Sequence, residues 1–187
     1  MIISINGTPG SGKSTIAKKI ATALNYKHYY MGAIRREKAR EMGMTLTQYN
    51  TYGETHPETD LEVEEYLKKL GTTTDNFVIE SRTSWYLLPQ SIKIFITVDP
   101  KIGADRVYKE LQSNNQRNED RELKNVTEVL NSHRNRMTSD KLRYKKYYNI
   151  DYTDPKNFDF IIDTSHLTPD EVFQQILNYI KKNKQNA

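Results

Sequence analysis

The chain opens on "MIISIN", an unbroken apolar and β-branched run that predicts a buried strand. After a glycine-rich stretch, Ile16, Ala17, Ile20, Ala21 and Leu24 recur at helical spacing, with Lys18, Lys19 and Thr22 opposite and Asn25 as the stop. "KHYYM" reads as a short second strand. A strongly basic helix follows from Gly32 to Met42, carrying Arg35, Arg36, Lys38 and Arg40 and ended by Gly43. Thr45 with Gln48 forms a capping box for a short helix. His56-Pro57 opens another helix, with Val63, Tyr66, Leu67 and Leu70 at helical spacing up to Gly71. "NFVIE" (76–80) and "IKIFITVD" (92–99) lack polar alternation, the mark of strands covered on both faces. Asp99-Pro100 starts a helix to about Leu111, and 112–124 is a polar excursion. Asn125 and Glu128 cap a long helix with Val126, Val129, Leu130, His133 and Met137 inward. "FDFIID" (158–163) is the last strand, and Thr168-Pro169-x-Glu171 begins a helix docked by Val172, Ile176, Leu177 and Ile180.

Strands alternating with helices imply an α/β fold with a parallel, doubly wound sheet. No repeat or linker divides the 187 residues, which suit one domain with a substantial core. The formal charge of +4 is a mildly basic surface, so charge matters here only where it clusters. The absence of cysteine excludes disulfides, thiolate zinc sites and thiol nucleophiles, and suits a reducing cytoplasm. No apolar run approaches the roughly 18 residues of a membrane helix, and "MIISING" reads as a strand rather than a targeting signal.

The chemistry begins where the first strand ends. "GTPGSGKST" comprises Gly7, Thr8, Pro9, Gly10, Ser11, Gly12, Lys13, Ser14 and Thr15, and matches G-x-x-x-x-G-K-[ST]. Between a strand and a helix, such a loop turns its backbone N–H groups inward as an anion nest. Lys13 is expected on the β- and γ-phosphates of ATP, and the Ser14 hydroxyl on magnesium. A carboxylate at a second strand end completes such a metal site. Glu80 and Asp99 both close apolar strands. Asp99 before Pro100 is explained as a helix cap, which favours Glu80 for the metal's water shell.

Arg36 follows the second strand and Arg82 the third, on the sheet edge where the phosphate loop opens. Two guanidinium forks there suit a second phosphate group. Arg35, Lys38 and Arg40 read as a solvated helix face. A further basic set comprises Arg117, Arg121, Arg134, Arg136 and Arg143. Arg136 and Arg143, about 10 Å apart on one helix face, suit charge neutralisation of a transferring phosphoryl group. No D-x-x-G occurs, which disfavours a GTPase switch. Strand two ends "HYYMGAI" without the Asp that a hydroxyl acceptor's base would supply. A phosphate acceptor needs no base, so phosphate-to-phosphate transfer fits best. Tyr144, Tyr147 and Tyr148 beside Lys145 and Lys146 allow an RNA-associated reading, disfavoured by the lack of a nucleic-acid fold signature.

With these residues in place, the chain resembles the nucleoside monophosphate kinases, and most of all the short, archaeal-type cytidylate kinases. The likeness runs from the phosphate loop through "MGMTLTQYN" and "PETD" to "RYKKYYNID" and "IIDTS". It implies a P-loop kinase fold with a five-stranded parallel sheet, a monophosphate-binding helical segment at about 32–70 and a small lid at about 113–124. The reaction implied is ATP plus CMP giving ADP plus CDP with Mg2+, in a monomer. Arg36 matches the family's G-x-x-x-R arginine, Arg82 its E-G-R turn, and Arg136 and Arg143 the helix after the lid; Arg117 and Arg121 match only loosely. The turn reads "ESR" here, and the segment before the acceptor helix reads "YMGA". Both departures fall on the acceptor side, leaving CMP, dCMP, UMP or another small acceptor open. Asp60, Ser84 and Arg82 are candidate readers of cytosine, with Asp60 equally explicable as helix-start charge.

Overall fold

β1 (Ile2–Gly7) is buried along its whole length because both of its faces are covered. In the computed structural model, which describes residues 1–113 and 123–184, it is the central strand of a sheet ordered β2-β3-β1-β4-β5. The partners are β2 (Lys27–Tyr30), β3 (Phe77–Glu80), β4 (Ile92–Thr97) and β5 (Phe160–Asp163). All four pairings are parallel, with Ile5 opposite Glu80 and Gly7 opposite Ile96. The helices are α1 (Lys13–Leu24), α2 (Met31–Glu41), α3 (Leu46–Gly53), α4 (Glu58–Thr73), α5 (Ser84–Leu87), α6 (Pro100–Gln112), α7 (Val126–Tyr148) and α8 (Pro169–Lys184).

Alternation along the strands sorts side chains into two layers. Ile3, Ile5, Val78, Ile94 and Ile96 point to a core closed by Ile16 and Ile20 of α1 and by Val172, Ile176 and Ile180 of α8. Ile2, Phe77 and Ile79 point the other way, to Met31, Leu67, Leu70 and Leu88. Ala104, Val107, Val129 and Leu130 join α6 to α7 in a third cluster. With helices on both faces, the polar edge left for a ligand is the one at the strand C-termini, where Gly7, Tyr30 and Glu80 stand.

The capping signals act as expected. Asn25 ends α1 in the left-handed conformation, and Thr45 and Gln48 close a reciprocal box on α3. Asp99 Oδ1 accepts from the N–H groups of Lys101 and Ile102. Two expectations on α4 need correction. The helix continues past Gly71 to Thr73, and Gly71 is there for packing: a Cβ would lie 2.2 Å from Leu88 Cδ2. Tyr66 is exposed, and the buried face continues toward the N-terminus through Glu64 and Asp60 instead.

Candidate active site

The loop after β1 is shaped by close approaches that only glycine permits. Gly7 has φ +149°, and a Cβ there would sit 1.9 Å from the Ile96 carbonyl oxygen. Gly12, the N-cap of α1, has φ +81° and contributes no side chain, so the first amides of the helix are left to the site. Lys13 Nζ donates to the Thr8 carbonyl at 2.7 Å, and Ser11 Oγ to the same oxygen at 2.9 Å.

The first turn of α1 meets the end of β3 directly. Ser14 Oγ donates to Glu80 Oε2 at 2.8 Å, and His28 Nε2 lies 2.8 Å from Glu80 Oε1. Glu80 is 3% exposed. A hydroxyl beside a carboxylate, next to a phosphate nest, is a hard-oxygen donor set suited to Mg2+, which uses one or two protein oxygens and takes the rest from water and phosphate. Among the described residues no cluster of three or more acidic, His or Cys side chains forms a dedicated metal cage. Asp99, the competing carboxylate, is occupied in capping α6.

The loop opens onto a cavity of about 340 Å³ that Arg36, Arg82 and Arg136 also line. Arg36 donates to the Tyr30 hydroxyl and lies 5.1 Å from that ring's centroid. Tyr30, a departure from the family segment, thus serves to orient the arginine. Arg82 donates to the Gly7 carbonyl and, at 3.1 Å, to Asp140 Oδ2, while its guanidinium covers Tyr152. Arg106 also lines the cavity and donates to Thr164 Oγ1 and its carbonyl at 3.0 and 2.7 Å.

Several expectations are redistributed by the packing. Arg143 is fully buried and does not line the cavity; it donates to Asp60 Oδ2 at 3.0 Å and Asp140 Oδ1 at 2.8 Å. It is therefore a support for two carboxylates, not a group that closes over a phosphoryl. Arg35, read as part of a solvated face, is drawn inward to Asp60 and to Asn50 Oδ1 at 2.8 Å. Burial by itself would raise the Asp140 carboxyl, but Arg82 and then Arg143 hold it below the ordinary Asp value. Ser84 is fully buried against Ser4, at 2.6 Å, and is no reader of a ligand. Asp60 does line the cavity, with both oxygens held by arginines. Tyr144 is buried and Tyr147 donates to the Gly53 and Glu54 carbonyls, while Lys145 and Lys146 are exposed. Arg117 and Arg121, with most of the segment 113–124, lie outside the described residues.

Sequence reasoning missed Asp140, Arg35 and Glu64. The signal for the first was its spacing: Asp140 and Arg143 are a turn apart on α7. The signal for Glu64 was its place in the apolar stripe of α4, three residues before Leu67.

A parallel sheet with a glycine-rich phosphate loop at its central strand defines a P-loop kinase fold. The chain resembles, over 97% of its length, a solved protein of undescribed function from Eubacterium ventriosum, with TM-score 0.71, 22% identity and 98% of that chain covered. Shikimate kinase from Aquifex aeolicus covers the whole of both chains with TM-score 0.59 at 17% identity. The chain belongs to the cytidylate kinase-like family, whose profile matches residues 2–166. Cytidylate kinase of Methanocaldococcus jannaschii is 36% identical over 181 residues, 96% of this chain and 97% of the relative. That of Pyrococcus furiosus is 34% identical over 175 residues, 92% and 84% of the two chains.

Proposed function

We propose that the protein is a pyrimidine nucleoside monophosphate kinase that transfers the γ-phosphoryl group of Mg-ATP to CMP. The observation that carries this reading is that a phosphate loop and a second set of arginines, Arg36, Arg82 and Arg136, open onto one cavity. Two anion-binding groups on one cavity suit two phosphate-bearing ligands bound side by side there. The family membership and the cytidylate kinases it aligns with support cytosine as the acceptor base.

The loop amides and Lys13 would hold the β- and γ-phosphates, and Arg36 and Arg82 the phosphate of the acceptor. The Ser14 hydroxyl would ligate Mg2+ and Glu80 would hold its water shell, and the ion supplies charge neutralisation on the phosphate oxygens when bound. An oxygen of the acceptor phosphate forms the new bond to the γ-phosphorus as the bond to the β,γ-bridging oxygen breaks, giving CDP and ADP. Three of the cavity's carboxylates are already engaged: Glu80 by Ser14 and His28, Asp60 by Arg35 and Arg143, and Asp140 by Arg82 and Arg143. Positioning and charge neutralisation are the chemistry that a phosphate acceptor requires. Arg136 is assigned to the developing charge, and Arg117 and Arg121 are assigned to the same role by the family resemblance. The protein would act as a cytoplasmic monomer on small nucleotides rather than on nucleic acid. Among the described residues no helix is long and apolar enough to cross a membrane.

The test is ADP release with Mg-ATP against CMP, dCMP, UMP, AMP, GMP and a blank without acceptor. Stimulation greatest with CMP is expected. Turnover that no pyrimidine monophosphate stimulates would remove the assignment.

A further inference from the structure

Along α4 the buried stripe changes chemistry without changing face. Leu67 is fully buried and Leu70 8% exposed; toward the N-terminus the same face carries Glu64 and Asp60, 3% and 4% exposed. Asp60 is matched by Arg35 and Arg143. Glu64 is not matched by an arginine: its Oε1 is buried with no hydrogen-bond partner among the described residues, and the group that interacts with the carboxyl from another helix is the Tyr148 hydroxyl. A buried carboxyl with no cation on it is destabilising, and a leucine would serve the stripe better. Glu64 also lines the cavity that holds the phosphate loop, Arg36 and Arg82.

We propose that Glu64 is the residue that reads the acceptor's base, meeting the N3 and 4-amino edge of cytosine with its carboxyl. The inference rests on the CMP reading above and assigns recognition of the base's hydrogen-bonding edge to one side chain. The cytosine edge sets an acceptor, N3, beside a donor, the 4-amino group. A neutral carboxyl offers the matching O–H donor and carbonyl acceptor, whereas an ionised one sets an acceptor against N3. Burial pushes the Glu64 carboxyl up to about 7, so the neutral form is available near neutral pH. Asp60 and Lys68 flank it on its own helix and Tyr148 reaches it from α7. Arg35 of α2 is bound to Asp60, Tyr49 of α3 lies under Arg35, and Tyr86 of α5 is in ring contact with Tyr148. Uracil exchanges donor and acceptor, and the same neutral carboxyl meets it with the proton on its other oxygen. Glu64 therefore selects a paired donor–acceptor edge, and does not by itself separate CMP from UMP.

The experiment measures kcat and KM on the full chain for CMP and for its 4-deamino analogue, pyrimidin-2-one riboside 5′-monophosphate, in wild type, Glu64→Gln and Glu64→Leu. Wild type should favour CMP by about tenfold in KM, one good hydrogen bond to a buried group. Glu64→Leu should raise the KM for CMP by about tenfold or more and bring the two ligands within about twofold. Glu64→Gln presents the same donor and acceptor, so it should keep the preference. The wild-type KM for CMP, divided by that of Glu64→Gln to cancel titration of the ligand's phosphate, should rise about tenfold or more from pH 6.5 to 8.5. A wild type blind to the 4-amino group, or a Glu64→Leu that keeps the full preference, would overturn the proposal. So would a loss of kcat at unchanged KM, which marks a general base on a hydroxyl acceptor. If Glu64→Leu fails to fold, an unchanged pH profile in Glu64→Gln overturns it by itself. A wild type that does not accept CMP at all defeats the CMP reading first, and is recognised as such before any variant is compared.

Discussion

Ser14 Oγ donates to Glu80 Oε2 across 2.8 Å, joining the first turn of α1 to the last residue of β3. The contact brings two hard-oxygen ligands together from positions sixty-six residues apart. If they hold the metal, Glu80→Gln should lower kcat by about a hundredfold and raise the Mg2+ concentration needed for half-maximal turnover. Magnesium titration of ADP release checks this; an unchanged magnesium requirement would remove Glu80 from the metal site.

Lys13 sits at the mouth of the phosphate loop, half-buried, with its ammonium on the Thr8 carbonyl. Lys13→Ala should leave less than about a tenth of kcat while the thermal transition stays within a few degrees of wild type. Retained turnover would mean that the loop amides suffice.

Arg82 spans two tasks, bonded to both the Gly7 carbonyl and Asp140. Arg82→Ala should raise the KM for CMP by about tenfold or more, with a smaller change in the KM for ATP. It should also lower stability, because Asp140 loses a cation that holds its carboxyl in the charged form. An unaltered acceptor KM would assign Arg82 to scaffolding alone.

Arg143 is fully buried between Asp60 and Asp140. Arg143→Met removes the cation that Asp60 and Asp140 share and leaves one arginine on each, for a cost of about 3–5 kcal/mol. Urea unfolding measures it. A loss below about 1 kcal/mol would show that Arg35 and Arg82 carry the pair without it.

Glu64 sets a pH dependence of stability whose sign is fixed by the direction of its shift. Its carboxyl is raised from 4.5 to about 7 by burial, so between those values the folded state holds more protons than the unfolded chain. Stability from this group is therefore complete below pH 4.5 and is lost as pH rises through about 7. Glu64→Gln removes the loss, and should gain on wild type by up to about 3 kcal/mol at pH 8 relative to pH 4.5. Denaturant midpoints of the two proteins that move in parallel with pH would contradict it.

The sequence by itself determined the order of strands and helices, their caps and the phosphate loop. Each rests on local chemistry: the 2.0 and 3.6 periodicities, the backbone freedom of glycine at Gly7 and Gly12, and side chains such as Thr45 and Asp99 that satisfy amides two or three residues away. Glu80 was legible too, because a carboxylate closing a doubly covered strand has no local explanation. Only the tertiary structure decided what each charge faces. Arg35 looks like a surface residue and Arg143 like a phosphoryl-site residue, and both are drawn inward because Asp60 and Asp140 arrive from other turns and other helices. Ser84 looks like a site residue and is consumed by Ser4, eighty residues away. Glu64 carries the same letter as its exposed neighbour Glu65, yet its place on the Leu67 face takes it out of water. Helical position is written in the sequence, but the partner that does or does not meet a buried charge is set by the packing of distant elements, and that decides whether the charge supports the fold or serves the ligand.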